Sequence, residues 1–123
     1  MADDSSSVLD AMQVADLVAL DKGRGALFAQ LVSVFLSGAD ERIAQLRRHA
    51  ESADAEGLAD AAHALTGSSG NLGAARLAAL FGRIENAGKR QDVGAAKELL
   101  ALLDAEYALA RGALLAAAGK DSG

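Results

Sequence analysis

Between Phe28 and Ala50 the apolar residues Phe28, Leu31, Val32, Phe35, Ala39, Ile43, Leu46 and Ala50 recur at three- and four-residue steps, and no proline interrupts the chain anywhere. That spacing lays them along one face of an α-helix, because a helix advances about 100° per residue. The stepping returns at Leu58, Ala61, Ala62, Leu65 and Leu72, again at Leu77, Leu80, Phe81 and Ile84, and again at Val93, Ala96, Leu100, Leu103, Tyr107, Ala110 and Leu114. An apolar fraction of 51% with only 3% aromatics means that alanine and leucine supply most of the stripes, a balance that favours close-packed helices over strands.

The boundaries follow from caps and breakers. A short helix is expected from about Val8 to Leu20, with Val14, Leu17 and Val18 on one side, ending before DKGRG. A long helix is expected over 26–50. Ser52 or Asp54 then caps a third over 55–69, and Asn71 caps a fourth over 72–87 that Gly88 ends. Asp92 caps a fifth over 93–117. Residues 1–7 (MADDSSS) and 119–123 read as disordered tails around one domain over 8–118. At 123 residues the chain is long enough for one core and too short for two ordinary domains. Four long helices on short connections predict an all-α, antiparallel up-down-up-down four-helix bundle with a short extra N-terminal helix. No internal repeat is found.

Composition also closes off functions. There is no cysteine, so neither a disulfide framework nor a thiolate metal site is available, and two histidines fourteen residues apart make no dedicated metal site. A net charge of −5 without a basic stripe argues against nucleic acid as a partner. No secretory leader opens the chain and no apolar run approaches the roughly 18 residues of a membrane span, so a cytoplasmic protein without a membrane partner is expected. The glycines of GSSGNLG match neither a dinucleotide fingerprint nor a P-loop. Asp60, His63 and Ser68 are not spaced to aim a base at a nucleophile. His49, after Arg47 and Arg48 at the end of a helix, suits the helix dipole. Asp40 and Glu41 read as solvated surface and Tyr107 as core with its hydroxyl near the rim.

His63 is different. It lies off the apolar stripe of its helix, and its neighbours at three- and four-residue steps are Ala59, Asp60, Thr66 and Gly67, with Gly70 a turn further. The ring is therefore expected on the solvent face above a bare floor. Glycine within a helix costs roughly 0.5–1 kcal/mol relative to alanine, so Gly67 one turn from the ring calls for a reason in packing or in access by another protein.

The stretch AHALTGSSGNLGA, Ala62 to Ala74, resembles the signature of histidine-containing phosphotransfer (HPt) domains, the shuttles of bacterial and plant phosphorelays. The resemblance extends from about Val8 to Leu115 through LFAQLVSVFLSGADERIAQL, LGAARLAALFGRIE and the leucine-rich last helix. It implies a four-helix bundle with His63 as the exposed phospho-acceptor and Gly67 as the small residue that leaves the ring open. Thr66, Ser68 and Gly70 then support the site, and Ser69, Leu72 and Gly73 support the turn into helix four. One position departs: the family usually has lysine three residues after the histidine, and here Thr66 stands there. A hydroxyl replaces a cation, and Arg42, Arg76 and Arg83 are the candidate charge partners for the phosphoryl group. Reflecting the helices about their turns puts Arg42 and positions near Ala79 level with His63, with Arg76 and Arg83 about one turn to either side.

Neutral imidazole, with a pKa of about 6.5, presents an unprotonated nitrogen at pH 7 and needs no general base. The resemblance implies partners that are response-regulator receiver domains, with a hybrid histidine kinase as a further candidate. The receiver brings the aspartate, the Mg²⁺ and a lysine, and the chain itself holds no cofactor. The chain is then a carrier, not an enzyme with its own kinase or phosphatase site, whether freestanding or part of a hybrid sensor kinase. Its apolar stripes are consumed by the bundle, which favours a monomer. The other reading is a docking module of the same fold that binds a signalling partner without phosphotransfer.

Overall fold

The computed structural model describes residues 8–20 and 25–119. The tail expected at 1–7 and residues 120–123 of that expected at 119–123 lie outside them, as does most of the DKGRG break. Among the described residues six helices follow in order: α1 (Ala11–Ala19), α2 (Ala26–Glu51), α3 (Ala55–Asn71), α4 (Ala75–Lys89), α5 (Val93–Leu100) and α6 (Leu103–Ala117). Helices α2, α3, α4 and the α5–α6 pair form the antiparallel bundle, and α1 packs on one end against α2. The stripes expected from periodicity meet in one core, in which Phe28, Leu46, Leu58, Leu65, Leu77, Phe81, Ile84, Leu103 and Leu114 are fully buried. Leu31, expected on that stripe, sits at its exposed edge.

Caps set most of the starts. Asp54 accepts the Gly57 N–H at 2.9 Å and opens α3, and Asp92 accepts the Ala95 N–H at 3.0 Å and opens α5. Asn71 does not cap α4. It is the last residue of α3, which ends in a Schellman turn: Gly73 N–H reaches Gly70 O at 3.0 Å and Ala74 N–H reaches Ser69 O at 2.9 Å. Gly73 carries the left-handed residue of that turn at φ 85°, and a Cβ there would lie 3.0 Å from Val14 Cγ2 of α1. No side chain caps α4. The segment before α1 lies over this turn instead, Asp10 N–H bonding Gly73 O at 2.6 Å and Val8 O accepting the Arg76 N–H at 3.4 Å.

Two further boundaries depart from expectation. Gly88 lies in the last turn of α4, which runs on to Lys89, and it is buried against α3, where a Cβ would lie 3.0 Å from Ala55 O and Ala59 N. The expected fifth helix is two, α5 and α6, joined through Ala101 and Leu102. Both keep right-handed dihedrals, but the Leu102 N–H bonds Leu99 O, three residues back, at 3.0 Å. This tighter turn keeps Leu100 and Leu103 both in the core.

Candidate functional site

Helix α3 lies between α2 and α4, and its outer face carries His63, Gly67 and Gly70. The register against α4 is set by small residues: Gly70 lies opposite Ala78 and Thr66 opposite Gly82, each at 4.0 Å from a Cβ placed on the glycine. Glu85 falls level with His63. The sequence places that level near Ala79; α3 runs two residues beyond its expected end and α4 starts three later, and most of the displacement to Glu85 follows from these two shifts.

The His63 side chain is 77% exposed, yet the floor beneath it is not bare. Nδ1 lies 2.9 Å from Oε2 of Glu85, whose side chain is only 10% exposed, and Lys89 Nζ lies 2.9 Å from the same oxygen one turn along α4. The hydrogen bonds to Lys89 and His63 hold the Glu85 carboxyl below its ordinary pKa against the opposing pull of burial, Lys89 contributing most. Glu85 is thus an ionised acceptor at neutral pH. Its partner Nδ1 must carry the hydrogen, which leaves the lone pair on Nε2, the nitrogen pointing away from Glu85. Neither Glu85 nor Lys89 was expected at the site. The signal was present in the sequence: Glu85 stands four residues after Phe81 and three before Gly88, a carboxylate on an otherwise apolar stripe with a lysine four residues on.

The other expected residues fall as follows. Thr66 is half-buried, and its hydroxyl donates to Ala62 O at 2.8 Å. A Cβ at Gly67 would meet nothing within 4 Å, so no packing inside the chain requires glycine there. Ser68 donates to Ala64 O at 2.9 Å. Ser69 is fully buried, with no hydrogen-bond partner for its hydroxyl among the described residues, and Leu72 is in the core. Arg42 lines a groove with Leu17, Leu31, Val34, Ser68 and Asn71, between α1, α2 and the C-terminal half of α3. Arg76 is drawn to α6, where it bonds Glu106 at 2.6 Å. Arg83 faces α5, lining a groove with Arg90 and Glu98. The cation placed at the His63–Glu85 pair is instead Lys89. His49 lies in the last turn of α2, its Nδ1 3.2 Å from Asp54 Oδ2. Tyr107 is half-buried against α2, where burial and the Asp40 charge raise its pKa.

An exposed imidazole with one nitrogen tethered and the other free, on the second long helix of an antiparallel bundle, is the arrangement of a phosphotransfer carrier. The Hpt domain family matches residues 30–113, more than half of the chain, and the chain belongs to that family of phosphotransfer carriers in two-component signalling, whose partners are response-regulator receiver domains. Among solved structures it is similar to histidine-containing phosphotransfer protein B (HptB) from Pseudomonas aeruginosa PAO1, with 26% identity, a TM-score of 0.79, and coverage of 92% of this chain and 96% of that one. No curated protein matches the sequence. Among the described residues no helix is long and apolar enough to cross a membrane.

Proposed function

We propose that the chain is a phosphorelay intermediate in which His63 Nε2 accepts a phosphoryl group from the aspartyl phosphate of one receiver domain and passes it to the aspartate of another. The observation that carries this reading is the His63–Glu85 contact, in which ionised Glu85 accepts from the inner nitrogen and so favours the tautomer with the exposed nitrogen nucleophilic. In the first step the Nε2 lone pair forms the bond to phosphorus while the bond to the aspartate oxygen breaks, and the aspartate leaves as a carboxylate. The positive charge that develops on the ring is held by ionised Glu85 through the Nδ1–H. The reverse sequence delivers the group to the second receiver. Because phosphoryl transfer depends on in-line placement and charge neutralisation, the receiver's Mg²⁺ and lysine supply what this sparse site lacks.

Docking falls on the outer face of α2 and α3. The apolar groove of about 360 Å³ beside Leu31, Val34 and Arg42 opens between α1, α2 and the C-terminal half of α3, which it meets at Ser68 and Asn71. The donor receiver stands alone or within a hybrid histidine kinase, and the carrier acts as a cytoplasmic monomer. The test is transfer from a phosphorylated receiver domain. Wild type gains an acid-labile, base-stable label; His63→Gln gains none; Gly67→Trp keeps the fold by circular dichroism but loses transfer. A folded wild type that binds receivers yet takes no label makes the chain a docking module instead.

A further inference from the structure

A phosphoryl group on His63 Nε2 adds about two negative charges within a few ångströms of the Glu85 carboxylate, itself ionised. Something must offset that charge. Thr66, where the resemblance leads one to expect lysine, spends its hydroxyl proton on Ala62 O and has none left for a phosphoryl oxygen. Arg76 is engaged by Glu106, and Arg42 and Arg83 line grooves on other sides of α3 and α4. Lys89 is different, since its Nζ shares Oε2 of Glu85 with His63 Nδ1, both contacts at 2.9 Å.

We propose that Lys89 is the cation of this site: recruited from α4, it positions and neutralises the phosphoryl group on His63, in place of a lysine at position 66. The proposal rests on His63 being the phospho-acceptor. Two features make Lys89 suited to the task. It is 63% exposed, so its ammonium can reach a phosphoryl oxygen from beside Glu85, whose buried carboxylate keeps the His63 Nδ1–H as its second partner. Side chains also lean toward the N-terminus of their helix, so on antiparallel α3 and α4 the Lys89 stem and the His63 ring lean toward each other. Glu85 has a double role: it keeps the proton on Nδ1 before and after transfer, and it stations Lys89 beside the ring while the site is empty.

The experiment is phosphorylation of the full chain by potassium phosphoramidate, followed by ³¹P NMR, with ¹⁵N NMR of the ring to read its tautomer. Nε2 forms the bond to phosphorus as the P–N bond of the donor breaks and ammonia leaves with that electron pair. At the separation of a direct contact in water, one charge is worth about 1 kcal/mol, so Lys89→Gln is expected to lower the labelling rate about fivefold while the helical fold by circular dichroism and the Nδ1–H tautomer stay as in wild type. Thr66→Lys added to Lys89→Gln is expected to restore the rate, which a merely structural lysine would not explain. Labelling of Lys89→Gln at the wild-type rate, or a loss that Thr66→Lys leaves unrepaired, overturns the proposal. His63→Gln then separates the two readings, for its failure to label keeps His63 as the acceptor whatever Lys89 does. A wild type that takes no phosphoryl from phosphoramidate or from a receiver overturns both.

Discussion

At the scale of single residues, the site depends on one carboxylate being ionised. Glu85 is held below its ordinary pKa chiefly by Lys89, so the folded state favours its charged form. A group depressed in this way contributes stability that is complete above its unfolded pKa, near 4.3 for glutamate, and that is lost as pH falls through the lower folded value. The melting temperature of wild type is therefore expected to exceed that of Glu85→Gln at pH 7, and the gap to close in acid, below about pH 4. Thermal melts from pH 7 to pH 3 read this directly; a gap that is constant over the range would show that Glu85 acts by packing and not by charge. Glu85 also marks a limit of reading residues singly. His63 was legible because it stood off an apolar stripe among small residues, whereas Glu85 acquires its role only through a partner twenty-two positions away.

At the scale of helices, two glycines with the same chemistry carry opposite expectations. Gly67 lies in α3 with nothing within 4 Å of its missing Cβ, so Gly67→Ala is expected to stabilise the bundle by about 0.5–1 kcal/mol through helix propensity alone. Gly88 lies in α4 with backbone atoms of α3 at 3.0 Å, and those atoms belong to the first turn of a helix and have little room to retreat. Overpacking of this kind costs about 1–3 kcal/mol, more than the propensity gained, so Gly88→Ala is expected to destabilise. Urea titrations of both variants decide it, and a stabilised Gly88→Ala would mean that α3 and α4 slide apart freely. The same comparison explains which boundaries the sequence made legible. Aspartates that cap, such as Asp54 and Asp92, announce a helix start by themselves. The end of α3 and the start of α4 were misplaced because Ala74 caps with no side chain, and the groups that satisfy this turn come from the chain before α1.

At the scale of the whole molecule, the stripes predicted the bundle because each helix buries its own periodic face, a property of local sequence. Register is not written in a single stripe: a displaced turn moves one helix past another without changing which face is buried, and here it brings Glu85 and Lys89 of α4 to His63 and leaves Arg76 and Arg83 facing α6 and α5. The assembled bundle also separates chemistry from docking. The groove beside Val34 meets α3 at Ser68 and Asn71, which at 1.5 Å per residue lie about 8–12 Å along α3 from His63. Val34 is 65% exposed, so Val34→Glu should leave the fold intact while placing a charge where an apolar partner surface would seat. Transfer from a phosphorylated receiver is expected to fall about tenfold or more, because a desolvated charge without a partner costs an interface at least a kcal/mol or two. Labelling by phosphoramidate, a donor too small to need the groove, is expected to stay at the wild-type rate. Loss of both activities would place Val34 in the chemistry or the fold, and retention of both would move the docking surface elsewhere on the bundle.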